Sequence, residues 1–171
     1  MVREFTLHEL WFLVLAVRWT IALSAIAFVA GGAGGIAVAL SRVSRSVLLA
    51  GAATGYIKIV QGTPLLMQLY LVYFGASLLR VTSDAWTAAA LGLALYASAF
   101  LGEIWRGCIQ AVPRTQWEAA RALGLGYPAQ LRFVILPQAS RIALPPTVGF
   151  LVQLVKGTWR CSLPPRRASA R

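Results

Sequence analysis

The stretch Trp117–Pro137, WEAARALGLGYPAQLRFVILP, decides how this chain is read. It is charged, starts like a helix, breaks at glycine and stops at proline, yet long apolar runs surround it. Thr115-Gln116-Trp117-Glu118 fits a capping box: the Thr115 hydroxyl would accept from the Glu118 N–H, and the Glu118 carboxylate would reach back to the Thr115 N–H. Good helix formers follow from Glu118 to Leu123, and Glu118 and Arg121, three apart, are placed to pair. Gly124 suits the left-handed residue that ends a helix. Pro128 can start a second short helix and Pro137 stop it. The expectation is two short helices joined by a tight glycine turn, with Trp117, Leu123, Leu125, Leu131 and Phe133 as apolar docking material.

Composition places this elbow in a membrane protein. Of the 171 residues, 58% are hydrophobic and 12% charged, against about 25% charged in a soluble domain. The net charge of +11 alone would also suit nucleic-acid binding, but that class rarely carries long uncharged runs. A membrane protein with arginines held on the cytoplasmic side explains it better. Cys108 and Cys161 lack CxxC spacing and His8 is the only histidine, so no metal site or His-based catalysis is expected. Glu4 and Glu9 interrupt the basic start, which is not a clean signal peptide.

Four apolar runs are legible. Trp19–Leu40 is uncharged and ends at SRVSR; at 1.5 Å per residue it crosses a hydrocarbon core of about 30 Å. Within it lies AGGAGG. No Lys-Ser/Thr follows to make a phosphate loop, and Gly31 and Gly35, four apart, admit a second helix closely. Ile59–Leu79 is the second run, with Pro64 near the first turn of its helix. The glycine-broken stretch Ser46–Gly62 either lies along the membrane surface or begins that span. Ala85–Gly102 is the third run. Ile142–Val155 is the fourth, shorter than the roughly 20 residues of a full span and holding Pro145 and Pro146. Arg42, Arg45 and Lys58 lie between the first two spans, and Arg106, Arg114, Arg121, Arg132 and Arg141 between the last two; only Arg80, opposed by Asp84, lies between the second and third. The first and third connections are therefore expected in the cytoplasm and the N-terminus outside.

With those residues in view, Glu118–Pro137 resembles the EAA loop of bacterial ABC-importer permeases: Glu118, Ala119, Ala120, Gly124, then Val134, Leu136 and Pro137 at the matching spacing, Val134 standing where isoleucine is common. Gln61–Gly75, Leu95–Gly124 and Leu136–Thr158 are similar to segments of the polar amino-acid uptake branch, with Gln61 replacing a usual arginine and Thr115 a usual glycine. The resemblance covers roughly Thr20–Thr158. It implies an all-α polytopic transmembrane bundle of a five-helix type, here expected without its last helix. It divides the chain into an N-terminal segment 1–18, a permease domain 19–158 with spans at about 19–40, 59–79, 85–102 and 142–156 and the loop at 113–137, and an aberrant basic tail 159–171. After Thr158 the similarity stops at WRCSLPPRRASAR, and the expectation is a frameshift or rearrangement there, testable by resequencing the locus.

By resemblance, such permeases pair as homo- or heterodimers in the bacterial inner membrane. They dock two cytoplasmic ATPase subunits and receive an amino acid from an extracytoplasmic binding protein. No cofactor is expected on this chain, ATP and Mg²⁺ belonging to the ATPase, since no GxxxxGK[ST] is present. The resemblance assigns ATPase coupling to Glu118, Ala119, Ala120, Gly124, Leu136 and Pro137, with Thr115, Trp117 and Arg121 as cap and support. Thr63 and Gln68 either line a substrate path or bond between helices; Lys156 is a further path candidate; Glu103 is expected to pair with Arg106, three residues on. A non-transporting remnant that only docks an ATPase or a partner permease is the alternative. A membrane-tethered DNA-binding regulator built on the helix-glycine-helix is disfavoured, because spans tie the elbow at both ends.

Overall fold

The computed structural model describes residues 7–44, 46–78 and 84–162, with side chains described at 17–44, 46–76, 78 and 84–156. Among the described residues there are helices and no strand: α1 (Leu7–Val43), α2 (Val47–Gly62), α3 (Leu65–Leu78), α4 (Ala85–Gln110), α5 (Arg114–Ala122), α6 (Tyr127–Ala129), a π-helical segment (Gln130–Ile135) and α7 (Leu136–Ser162). Arg45, Arg80 and the tail from residue 163 lie outside them.

α1 and α4 are the centre of the bundle. They run in parallel with their backbones almost touching: a Cβ added at Gly31 would stand 2.5 Å from the Ala97 Cβ, and one at Gly35 would stand 3.0 Å from the Leu101 Cβ. Gly102 returns the approach, its missing Cβ lying 2.6 Å from Val38. The glycine stripe thus does what its spacing suggests. Ala27, Leu93, Ala97, Leu101, Phe150 and Leu154 form the buried core where α7 joins this pair. Phe100 and Phe150 stack at 5.7 Å, and the Trp105 Nε1–H donates to the Thr147 hydroxyl at 2.9 Å.

Helix bounds depart from the expected spans. α1 is one 37-residue helix, so residue 18 marks no boundary; its apolar part is Val17–Val43. The run 59–79 is not one helix: Ile59–Gly62 closes α2, and α3 sets off at 107° to it. Pro64 causes the break, holding Thr63 extended at φ −106°, ψ 139°, while its own carbonyl accepts the Gln68 N–H at 3.1 Å. α4 continues past Gly102 to Gln110. α7 is 27 residues long and passes through Pro145 and Pro146 without ending. Among the described residues, α1 and α4 are long and apolar enough to cross a membrane, with α2 and α3 a third crossing if the bent pair counts as one. The expected fourth span, 142–156, lies within α7.

The two ends of the bundle differ. At one, Trp19 meets Trp86 edge-on at 6.2 Å with the Arg18 guanidinium 5.4 Å from the Trp19 ring, an arrangement suited to a membrane–water interface. From Trp19 to Arg42, α1 rises about 35 Å. At the other end Val43, Ile109, Val112, Ile135 and Ala139 pack together, so the ends of α1 and α4 and the start of α7 converge there with their arginines.

Replacing Gly31 with alanine should destabilise the bundle by about 1–3 kcal/mol, since the clash is with backbone and Cβ atoms. Gly55→Ala, with nothing within 4 Å, should be neutral or stabilising by up to about 1 kcal/mol. Unfolding of the purified variants in detergent micelles reads both.

Candidate coupling elbow

The elbow begins where α4 ends. The Ala111 N–H bonds the Gly107 carbonyl at 2.9 Å, and Val112 turns into the core. α5 starts two residues earlier than the capping box requires. Its N-cap is Pro113, at φ −54°, ψ 140°, with no side-chain cap, and the Pro113 carbonyl takes the Gln116 N–H at 3.0 Å. Thr115 therefore lies exposed inside the first turn, and the expected Thr115–Glu118 box does not form. The proline's fixed φ already sets the chain for helix entry. Glu118 and Arg121 do not pair either: the Arg121 Nε–H donates to the Trp117 carbonyl at 3.3 Å, and Glu118 is exposed.

The glycine turn forms as expected. Gly124 has φ +72°. The Gly124 N–H donates to the Arg121 carbonyl at 2.9 Å and the Leu125 N–H to the Ala120 carbonyl at 3.2 Å, the paired closure of a Schellman motif. Gly126 then caps α6, and Pro128 sits in its first turn.

Pro137 does not stop the second helix. It is the second residue of α7, and the chain stays helical from Tyr127 to Ser162. The π segment makes this possible: the Leu136 N–H reaches back to the Leu131 carbonyl, five residues away, and a wide turn eases the clash that a proline ring makes with the carbonyl four residues before it. Burial has the same period. Gln130 and Ile135 are both buried, although residues five apart diverge by about 140° on an α-helix.

Within the EAA triplet the roles divide. Ala120 is 1% exposed and seats α5 on the bundle, whereas Glu118 and Ala119 face outward. Leu136 is half-buried and Pro137 exposed. Of the apolar residues, Trp117 and Leu131 pack inward and Leu125 is half-buried, leaving Leu123 at 77% and Phe133 at 68% exposure. Arg132 lies 5.6 Å from the Phe133 ring centre. Arg114, Trp117, Glu118 and Arg121 line a cleft of about 600 Å³ beside Gln110 and Val112.

Three positioning side chains escaped the sequence reading. Gln130 donates through Nε2 to the Leu125 carbonyl at 2.5 Å, tying the π segment to the glycine turn. Gln138 donates to the Gln116 Oε1 at 3.2 Å and to the Val134 carbonyl at 3.0 Å, tying α7 to α5. Tyr127 stacks on Trp117 at 6.1 Å and donates its hydroxyl to the Val43 carbonyl at 2.6 Å. The two glutamines in an otherwise apolar run are a legible signal; the partner of Tyr127 is not.

Elsewhere, Arg106 holds Glu103 by two contacts, at 2.9 and 2.5 Å, as its spacing suggests. Arg42 joins them at 3.8 Å. Thr63 and Gln68 meet at the α2–α3 corner, where the Gln68 Nε2 donates to the Thr63 hydroxyl at 2.6 Å and also bonds the Val60 carbonyl. Lys156 stands exposed on α7, away from that corner's bonds. No cluster of metal-ligating side chains occurs among the described residues; Cys108 is buried, and the side chain of Cys161 lies outside them.

The described residues thus form an all-helical bundle with a helical elbow tethered at its arginine-rich end. Residues 31–159 match the family of binding-protein-dependent transport system inner membrane components, and the chain belongs to that family. It is 37% identical over 147 residues to the probable amino-acid ABC transporter permease protein YckA of Bacillus subtilis, covering 86% of this chain and 65% of that protein. It is 34% identical over 142 residues to the L-cystine transport system permease protein TcyB of the same organism, covering 83% and 61%. The chain thus spans less than two thirds of the length of these relatives. The crystal structure of an amino acid ABC transporter with histidines superposes with a TM-score of 0.84 at 34% identity, over 95% of this chain and 77% of that one. The MetNI methionine ABC transporter shares the fold, at TM-score 0.69 and 22% identity, over 89% and 74%.

Gly124→Ala should cost about 1–2 kcal/mol through its left-handed backbone and not through crowding, since nothing lies within 4 Å. Limited proteolysis should then cut near residues 123–126 faster than in the wild type.

Proposed function

We propose that the chain is the membrane-spanning subunit of an ATP-driven amino-acid importer, and that α5, α6 and the glycine turn between them form the handle which a separate ATPase subunit drives. The elbow carries this reading: it is bonded to α1 through Tyr127 and to α7 through Gln116, buries Ala120, and still presents Leu123 outward, with Phe133 of the π segment also exposed. Exposed apolar side chains beside arginines on a rigid element suit docking into a protein groove. ATP and Mg²⁺ belong on that partner. The substrate class rests on the relatives, which are named amino-acid and L-cystine permeases.

Arginines crowd the elbow end, so this end faces the cytoplasm of a bacterial inner membrane and the Trp19–Trp86 end faces outward. A second permease subunit and an extracytoplasmic amino-acid-binding protein complete the system. α7 supports the pairing. Gly149, Gln153 and Lys156 recur at helical spacing and are all exposed. Polar side chains at membrane depth are costly against lipid, and a second subunit with the substrate path between the two would cover them. Alternating access follows when ATP-driven closure of the ATPase pair moves the handle and rocks the bundles.

Cysteines placed at Ala119 and Leu123 should crosslink to the ATPase subunit, while one at the buried Ala120 should not. Leu123→Asp should weaken capture of the ATPase by about thirtyfold if this side chain is a central contact. Labelling of Ala119→Cys by an impermeant maleimide from outside intact cells would overturn the reading.

A further inference from the structure

The elbow is bonded to α1, a helix to which it is not joined in sequence. The last four carbonyls of any helix lack intrahelical partners. At the end of α1 the Val43 carbonyl takes the Tyr127 hydroxyl at 2.6 Å, across 84 residues of chain. The Tyr127 ring is itself steadied by its stack on Trp117 of α5. One residue before Val43, Arg42 reaches two other helices: its NH1 donates to the Thr54 Oγ1 of α2 at 2.5 Å, and its NH2 lies 3.8 Å from the Glu103 Oε2 of α4. Thr54 in turn donates to the Ala50 carbonyl at 2.5 Å, and Arg106 holds Glu103 while also bonding Gln110. The buried Arg42 Nε has no acceptor among the described residues.

We infer that Tyr127 is a positioning residue that passes displacement of the elbow to the last turn of α1, from which Arg42 distributes it to α2 through Thr54 and to α4 through Glu103. One guanidinium holds both helices, so shifting the turn that carries it disturbs both contacts together. Arg42 is also the loosest member of its cluster. Its contact with Glu103 is long beside the two from Arg106, and one of its donors is unused. It therefore has bonding to gain when α1 moves, whereas Arg106 has little. The inference rests on the handle reading for the source of the push, but the link itself is a property of this chain alone.

Hydrogen exchange of the full chain in nanodiscs, without any ATPase, tests the link. Tyr127→Phe keeps the ring stack and removes the donor. Amide exchange should rise about twofold to tenfold at residues 40–44 and also at 50–56, with 114–122 unchanged. Arg42→Lys should raise exchange at 50–56 and leave 127–130 as in the wild type. The double variant should match the larger single effect at 50–56, because both act through one connection. Thr54→Val, which deletes only the α2 acceptor, should reproduce the 50–56 effect if Arg42→Lys folds poorly. A rise confined to 40–44 in Tyr127→Phe, or multiplying effects in the double variant, would overturn the inference by making Tyr127 a local cap. Failure of the crosslink to an ATPase would instead overturn the handle reading and leave these exchange results standing.

Discussion

Backbone contact between α1 and α4 is the constraint on which the remaining geometry depends. Lipid tails are as apolar as leucine, so no hydrophobic drive brings spanning helices together; close packing and hydrogen bonds must. Gly31, Gly35 and Gly102 remove the atoms that would hold the axes apart. Because the pair is parallel, the contact also fixes which ends meet. Val38 against Gly102 sets the register, and one turn further on Arg42 comes beside Glu103 and Arg106. Two helix C-termini, each with a negative dipole end, are thus delivered to one place together with the cations that suit them. The elbow grows from that place.

A nine-residue helix such as α5 is marginal in water by itself. What stiffens it is attachment at points far apart in sequence. Ala120 is pressed into the bundle, Trp117 stacks on Tyr127, Gln116 meets Gln138, and the Schellman closure leaves the Gly124 turn little freedom. Each neutral hydrogen bond contributes only about 0.5–1.5 kcal/mol, but they restrain different directions. The outward faces of Glu118, Ala119, Leu123 and Phe133 then sit on a rigid body while taking no part in its internal bonding.

Local rules read correctly from the sequence are those that depend on a few adjacent residues or on spacing alone. Gly124 is left-handed because a turn there needs it, and the glycines of α1 meet α4 because small residues four apart make one flat stripe. Glu103 meets Arg106 because three residues separate them on one helix. The failures come where two local rules compete or where tertiary structure decides. Pro113 and Thr115 both can begin a helix, and the proline, lying first, wins. The apolar run 59–79, continuous by composition, is two helices, although Pro64 does stand at the start of α3 as its position suggests. Pro137 breaks nothing, because the π segment before it widens the turn. That segment is itself set by burying Gln130 and Ile135 together, which no pattern of adjacent residues announces. Within the EAA triplet the sequence does not tell an inward alanine from an outward one, since burial of Ala120 beside an exposed Ala119 follows from how α5 lies on the bundle.

The π segment has a consequence for α7. A helix that carries Pro137, Pro145 and Pro146 has three residues unable to donate a backbone hydrogen bond, two of them adjacent. Such a helix survives by packing, through Phe150, Leu154 and the Thr147 hydroxyl, more than by its own ladder. Its own backbone ladder therefore has three gaps, which side-chain packing must offset. α7 continues from the elbow without leaving the helical state, and it carries Gln153 and Lys156 on an exposed face. The chain thus places its glycines where α1 and α4 approach most closely and its prolines in the helix that packs on that pair.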